Sequence, residues 1–175
     1  VTLHLFDVTS GNTSKVDLGN PYYIPRIKWM NHPERLSVQT LNRHQNTLKL
    51  HVVDTKDNTV SILHEETDEA YVDVTDDLTF LANDSFIWTS EKDGYNHIYL
   101  YDQEGNLINQ ITKGPWVVTS YYGYDQDAEN IYYQSTENGS INRGVYSIES
   151  NGKHKRALAT EEGTNSADFS ADFTY

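Results

Sequence analysis

"WTSEKDGYNHIYLYDQEGNLINQITKG", residues 88–114, runs from an apolar start through a charged turn into alternating apolar and polar residues, then through a second turn into a closing run. Period-two alternation bounded by turn residues is the pattern of half-buried β-strands. The turns carry their own chemistry. Asp93-Gly94 and the stretch Gln103-Glu104-Gly105-Asn106 each place a glycine where a tight hairpin demands positive φ. One such unit could belong to many folds, so the question is whether the chain repeats it.

Set beside residues 134–163, residues 89–114 find a partner: HIYLYDQEGNLINQIT answers GVYSIESNGKHKRALAT. Tyr99 matches Tyr146 and Gly105 matches Gly152, both at an offset of 47 residues. NTLKLHVVDTKDNTVSILHE, residues 46–65, is a weaker copy, and VTLHLFDVTSGNTSKVDLG reads as the tail of one before it. The last copy divides into VVTSYYGYD, NIYYQST, GVYSIES and KHKRALA, parted by DQDAEN, ENGSINR and the strong hairpin pair Asn151-Gly152. Four strands per unit at a period of ~40–50 residues is the signature of a β-propeller blade. The expected fold is all-β, a partial propeller of about three to four four-stranded antiparallel blades. Residues 1–20 are expected to end a blade, 21–66, 67–114 and 115–160 to form blades, and 161–175 to start the next. Helical periodicity is essentially absent. HEETDEAYVDV is the best place for a helical turn and still reads as loop.

Closed propellers take about 4–8 blades. The chain holds a little under four periods and reads as cut mid-blade at both ends, hence as an arc. An arc leaves sheet faces and strand edges uncovered, so the chain alone is expected to self-associate or exchange strands.

Composition narrows the partners. The formal net charge of −13 argues against nucleic acid and against a polybasic membrane contact, both of which need clustered Lys and Arg. The chain has 175 residues, 13 of them Tyr, whose rings carry large apolar area with a polar tip. With no Cys there is no disulfide, thiolate chemistry or Cys-ligated zinc, although this does not fix the compartment. No apolar run approaches the ~20 residues of a transmembrane helix, and no signal peptide is visible.

At LNRHQNTLKL and SEKDGYNHIYLY, together with DDLTFL, ITKGPWVVTSYYGYD, IYYQSTENG and GTNSADFS, the chain resembles the N-terminal propeller domain of the dipeptidyl peptidase IV family. The resemblance is nearest to the bacterial, Bacteroidetes-type members, within the prolyl oligopeptidase clan of serine peptidases, and covers essentially the whole chain. It implies an eight-bladed propeller followed by an α/β-hydrolase domain, and an enzyme that releases Xaa-Pro or Xaa-Ala dipeptides from free N-termini. It implies that this segment is non-catalytic and helps wall the substrate-access cavity. Its partners would be the hydrolase domain, the missing blades and, only in the full-length enzyme, the peptide substrate. It also implies a periplasmic or cell-surface location.

The motifs agree with a segment poor in catalytic groups. A serine elbow needs Gly-x-Ser-x-Gly, and ENGSINRG lacks that spacing. The family anchors the substrate amine with a pair of glutamates in a short helical insertion. Glu65-Glu66 lacks that context, so the role is not carried over and a solvated acidic loop is expected. DQDAEN has Asn130 where a calcium loop needs Gly, so a hairpin turn is expected. Asp73, Asp76 and Asp77 could bind a cation weakly, or cap their own turns. His4, His32, His44, His51, His64, His97 and His154 are scattered, with no helical zinc pair, and His97 is expected to cap or pack against its turn. Glu91 is expected to tie strand to turn. Trp29, Trp88 and Trp116 are expected to pack between sheets rather than to form a sugar-binding stripe. Arg43 reads as an interblade cation or as the partner of a nearby carboxylate. No residue is assigned as catalytic, cofactor-binding or metal-ligating. The alternative readings are a TolB-like interaction propeller without peptidase activity, and a sugar- or cation-binding propeller.

Overall fold

The computed structural model describes residues 1–175, and its regular structure is entirely β. Its strands are β1 (Leu3–Phe6), β2 (Thr13–Val16), β3 (Tyr23–Trp29), β4 (Arg35–Leu41), β5 (Thr47–Asp54), β6 (Val60–Thr67), β7 (Thr79–Phe80), β8 (Phe86–Ser90), β9 (His97–Tyr101), β10 (Leu107–Gln110), β11 (Val118–Asp125), β12 (Asn130–Ser135), β13 (Gly144–Glu149) and β14 (Arg156–Ala159). They form the hairpin β1-β2 and three four-stranded antiparallel sheets, β3–β6, β7–β10 and β11–β14, in which each strand pairs with its neighbour in sequence. That is the blade pattern of a partial propeller. The chain divides into two compact units, residues 1–76 and 77–175.

Glycine turns close the hairpins because only glycine takes positive φ without steric cost. Gly94, Gly105 and Gly152 stand at φ 94°, 85° and 80°. Beside Gly105, the Asp102 carboxylate accepts the amides of Glu104 at 2.9 Å and Asn106 at 2.8 Å, so a side chain holds the turn. DQDAEN is the β11–β12 hairpin, with Asp125 accepting the amides of Asp127 and Ala128. The central ladders β4–β5, β8–β9 and β12–β13 are regular. Register shifts fall in ladders that include an outer strand: β3–β4, β5–β6, β9–β10, β11–β12 and β13–β14. A bulge bends and twists an edge away from further pairing. The β1–β2 ladder has no such shift.

In the first unit the hairpin packs on sheet β3–β6. Val16, Leu36, Val38 and Val53 form the buried cluster, with Leu3, Leu5, Leu18, Ile24 and Val60 against it. Ile27 pairs with Val38 and Trp29 with Leu36, so the alternation places both on this same face. They nevertheless stand 56% and 57% exposed. Trp29 therefore departs from the expected packing between sheets: nothing covers the β3 end of the face.

The second unit packs sheet on sheet. Ile87, Ile98 and Ile111 meet Val118, Ile131, Tyr133, Tyr146 and Ile148 in one buried cluster. Coverage reaches the first strand of the second sheet, where Leu81, Trp116 and Tyr121 pack on the cluster and the Tyr121 hydroxyl donates to Thr79 at 3.1 Å. Trp88 is buried as expected. Residues 161–175, expected to start a further blade, carry no strand in this chain; a single parallel bridge joins Thr164 to Arg143. The segment lays Phe169 and Phe173 on Tyr122 and Tyr132, with Tyr132 and Phe173 stacked at 5.1 Å between ring centres. Gly123 makes room for this, since a Cβ there would lie 2.6 Å from the Phe173 ring.

Candidate functional site

Two threonine hydroxyls meet imidazoles, the first half of a hydroxyl–base pair. His97 sits in β9 with no exposed surface. Its Nε2 donates to the Gly114 carbonyl at 3.0 Å, and its Nδ1 pairs at 3.1 Å with the Thr112 hydroxyl, which also accepts the Ile98 amide. Trp116 stands edge-on to the ring. His97 thus ties β9 to the 112–116 loop, the packing role expected of it. His51, in β5, pairs through Nε2 with the Thr40 hydroxyl at 2.9 Å, while its Nδ1 is buried without a partner. Burial first, and then Lys49, holds its pKa below the ordinary value; Glu65 opposes this. A nucleophile relay needs a carboxylate on the far nitrogen of the base and room for a substrate. His97 has a carbonyl there, His51 has nothing, and both rings are buried.

The acidic candidates are engaged locally. Glu65 and Glu66 lie in strand β6, not in the expected loop. Glu65 pairs with Lys49 across the ladder at 3.4 Å, and Glu66 stands opposite Leu48. Two carboxylates on an outer strand repel further pairing, which makes the strand look like a loop when read from sequence alone. Asp73 accepts the amide of Val74, Asp76 pairs with the Arg26 guanidinium, and Asp77 accepts the Thr89 hydroxyl at 2.8 Å. No group of three or more His, Asp or Glu converges on a metal-sized space.

Lysines bind the aromatic rings. Lys92, in the EKDG turn, lies 4.0 Å from the centre of the Tyr99 ring and donates to the Tyr101 hydroxyl at 2.7 Å. It ties strand to turn where Glu91 was expected to; Glu91 closes the turn only through its carbonyl, which accepts the Gly94 amide. Lys155 lies 5.7 Å from the centre of Tyr146, the repeat counterpart of Tyr99, and reaches it from a different turn. Its ammonium pairs with Glu137, which also accepts the hydroxyls of Tyr133 at 3.2 Å and Ser135 at 3.0 Å. Burial first, and then the Glu137 charge, pushes the Tyr133 phenol far above its ordinary range. Glu137 is saturated with donors, so it locks β12 to β14 rather than serving as an acid or base. Arg43 stacks over the Tyr22 ring at 5.7 Å, instead of the carboxylate contact the sequence suggested.

The largest concavity is a cleft of about 720 Å³ in the first unit, lined in part by Leu3, Leu5 and Phe6 of β1 and by Ile27, Trp29 and Leu36 of the sheet. A smaller one of about 310 Å³ lies between Leu18–Pro21 and the Lys49–His51 stretch. Sequence reading found neither, because a cleft is a property of what fails to cover a face.

With that geometry in view, comparison with known proteins is decisive. A family model described as the dipeptidyl peptidase IV (DPP IV) N-terminal region matches residues 1–175. The chain belongs to that family. Among solved structures, Porphyromonas gingivalis dipeptidyl peptidase 4 superimposes with a TM-score of 0.91 at 40% identity, over 98% of this chain and 25% of that one. A curated relative from Phaeosphaeria nodorum, named "Probable dipeptidyl-aminopeptidase B", is 30% identical over 182 residues, 93% of this chain and 20% of the relative. The dipeptidyl peptidase 4 of Trichophyton rubrum is 23% identical over 184 residues, 99% of this chain and 24% of the relative. The DPP IV N-terminal region described here thus spans a fifth to a quarter of the length of these relatives.

Proposed function

We propose that these 175 residues are a non-catalytic propeller segment of a dipeptidyl peptidase IV-like serine peptidase, and that they help wall the cavity through which peptides reach the active site. The observation that carries this reading is the match to P. gingivalis dipeptidyl peptidase 4 along 98% of the chain at 40% identity. The side chains support it: hydroxyls, imidazoles and carboxylates are tied into ladders and turns, and a wall works by shape. The whole polypeptide would release Xaa-Pro and Xaa-Ala dipeptides, with its catalytic serine, acid and histidine on an α/β-hydrolase domain. It would act in the periplasm or at the cell surface, which fractionation of the source cells tests.

The deciding experiment assays a Gly-Pro chromogenic substrate with the 175-residue chain alone and with the same chain joined to the rest of its polypeptide. The expected result is release by the joined protein and none by the chain alone. Release by neither defeats the peptidase reading, and release by the chain alone defeats the non-catalytic one.

A further inference from the structure

The cleft of about 720 Å³ has one wall of backbone and one of apolar side chains. β1 pairs only with β2. The Asp7 amide donates to Asn12, and the register continues as Leu5 with Ser14 and Leu3 with Val16. Hydrogen-bonded pairs alternate along an antiparallel ladder. Leu3 and Leu5 therefore direct their N–H and C=O groups at β2, while those of His4 and Phe6 face away from it, toward the open edge. Residues 1–6 carry no acidic side chain in a chain of net charge −13, and the β1–β2 ladder has no bulge. The usual guards against strand addition are missing at this edge. Beyond it lie Ile27 and Trp29, continuous with the face whose Leu36, Val38 and Val53 the hairpin already covers.

The second unit shows what fits such a place. There the hairpin β7-β8 precedes β9, and its Leu81 and Ile87 reach across to the first strand of the next sheet. By the 47-residue repeat, β1 corresponds to β9 as the third strand of its sheet, and β3 corresponds to β11 as a first strand. We propose that the cleft is a strand-acceptor site. Its occupant is a two-stranded antiparallel β-hairpin that pairs with β1 through the outward groups of His4 and Phe6 and lays apolar side chains on Ile27 and Trp29. Main-chain hydrogen bonds would give affinity and the two apolar residues the register, as in strand addition generally. The inference does not depend on peptidase activity.

The test titrates the 175-residue chain with a synthetic peptide of residues 77–91, the chain's own β7-β8 hairpin, and follows amide exchange by NMR. Saturable one-to-one binding is expected, with the His4 and Phe6 amides becoming protected. His4→Pro removes an outward N–H that the β1–β2 ladder does not use, and should weaken binding at least tenfold. Should that variant fail to fold, Trp29→Ser changes only an exposed side chain and carries the same expectation, while Lys28→Ala, on the other face of β3, should leave binding unchanged. Absence of protection at His4 and Phe6, or binding indifferent to His4→Pro and Trp29→Ser, overturns the proposal. A dimer that protects the same amides and excludes the peptide also overturns it, by giving the cleft to a second copy.

Discussion

The same kind of sheet face meets two different environments in the two units. In the second, four strands lie over four, and the cluster from Ile87 to Ile148 leaves its aliphatic members almost without exposed surface. In the first, two strands lie over four. Leu36, Val38 and Val53 are buried, while Ile27 and Trp29 on the same face are more than half exposed. The residues have the same chemistry and the same periodicity, and only the covering differs. Burial is thus a property of the neighbouring sheet, not of the strand that carries the side chain.

The comparison breaks first at the second unit's core. Ile131→Ala should cost about 2–5 kcal/mol, because a fully buried aliphatic loses both its transfer energy and its packing; the urea unfolding midpoint reports it. Gly114→Ala should cost about 1–3 kcal/mol by the same measurement, since Gly114 holds φ 141° and a Cβ there would lie 2.3 Å from Trp116 Nε1. That variant should also expose Trp116, seen as a red shift of its fluorescence.

A smaller effect belongs to the first unit and depends on pH. Burial lowers the His51 pKa in the fold from its ordinary 6.5. As the pH falls through that value the unfolded chain takes up the proton first, so stability must fall with it and continue falling toward the folded pKa. Urea midpoints measured between pH 7.5 and pH 5 should decline, and His51→Gln should flatten the decline in the first unit without changing the second. The smallest effect sharpens the contrast most. Trp29→Ala removes a large aromatic from the same face as Val38 and should change stability by no more than about 0.5 kcal/mol, because the side chain has little burial to lose.

Much of the fold was legible because its determinants are local. Asn151-Gly152, Asp93-Gly94 and Gly105 announce hairpins through a backbone geometry that few residues accept, and the offset between Tyr99 and Tyr146 lines up the third strands of two sheets. The family motifs were legible for the same reason: SEKDGYNHIYLY is a turn flanked by two strands. What stayed hidden depends on distant partners. Trp29 reads as a core residue in every strand pattern, and its exposure follows from missing cover over β3. Glu65 and Glu66 read as loop because charge on an outer strand imitates one. Arg43 found a ring rather than a carboxylate, and Lys92, not Glu91, holds its turn through Tyr99 and Tyr101. Ring contacts between residues 7 to 21 positions apart leave no mark on spacing that a motif could capture.

Native-state amide exchange tests the account most directly, because it reads covering and pairing strand by strand. The Tyr133 and Tyr146 amides, in the central ladder of the last sheet, should exchange only on global unfolding, while those of His4 and Phe6 should exchange almost as fast as in an unfolded chain. Equal protection of β1 and β12 in the isolated chain would contradict it, for the first unit would then possess a covering that its two-stranded hairpin cannot supply.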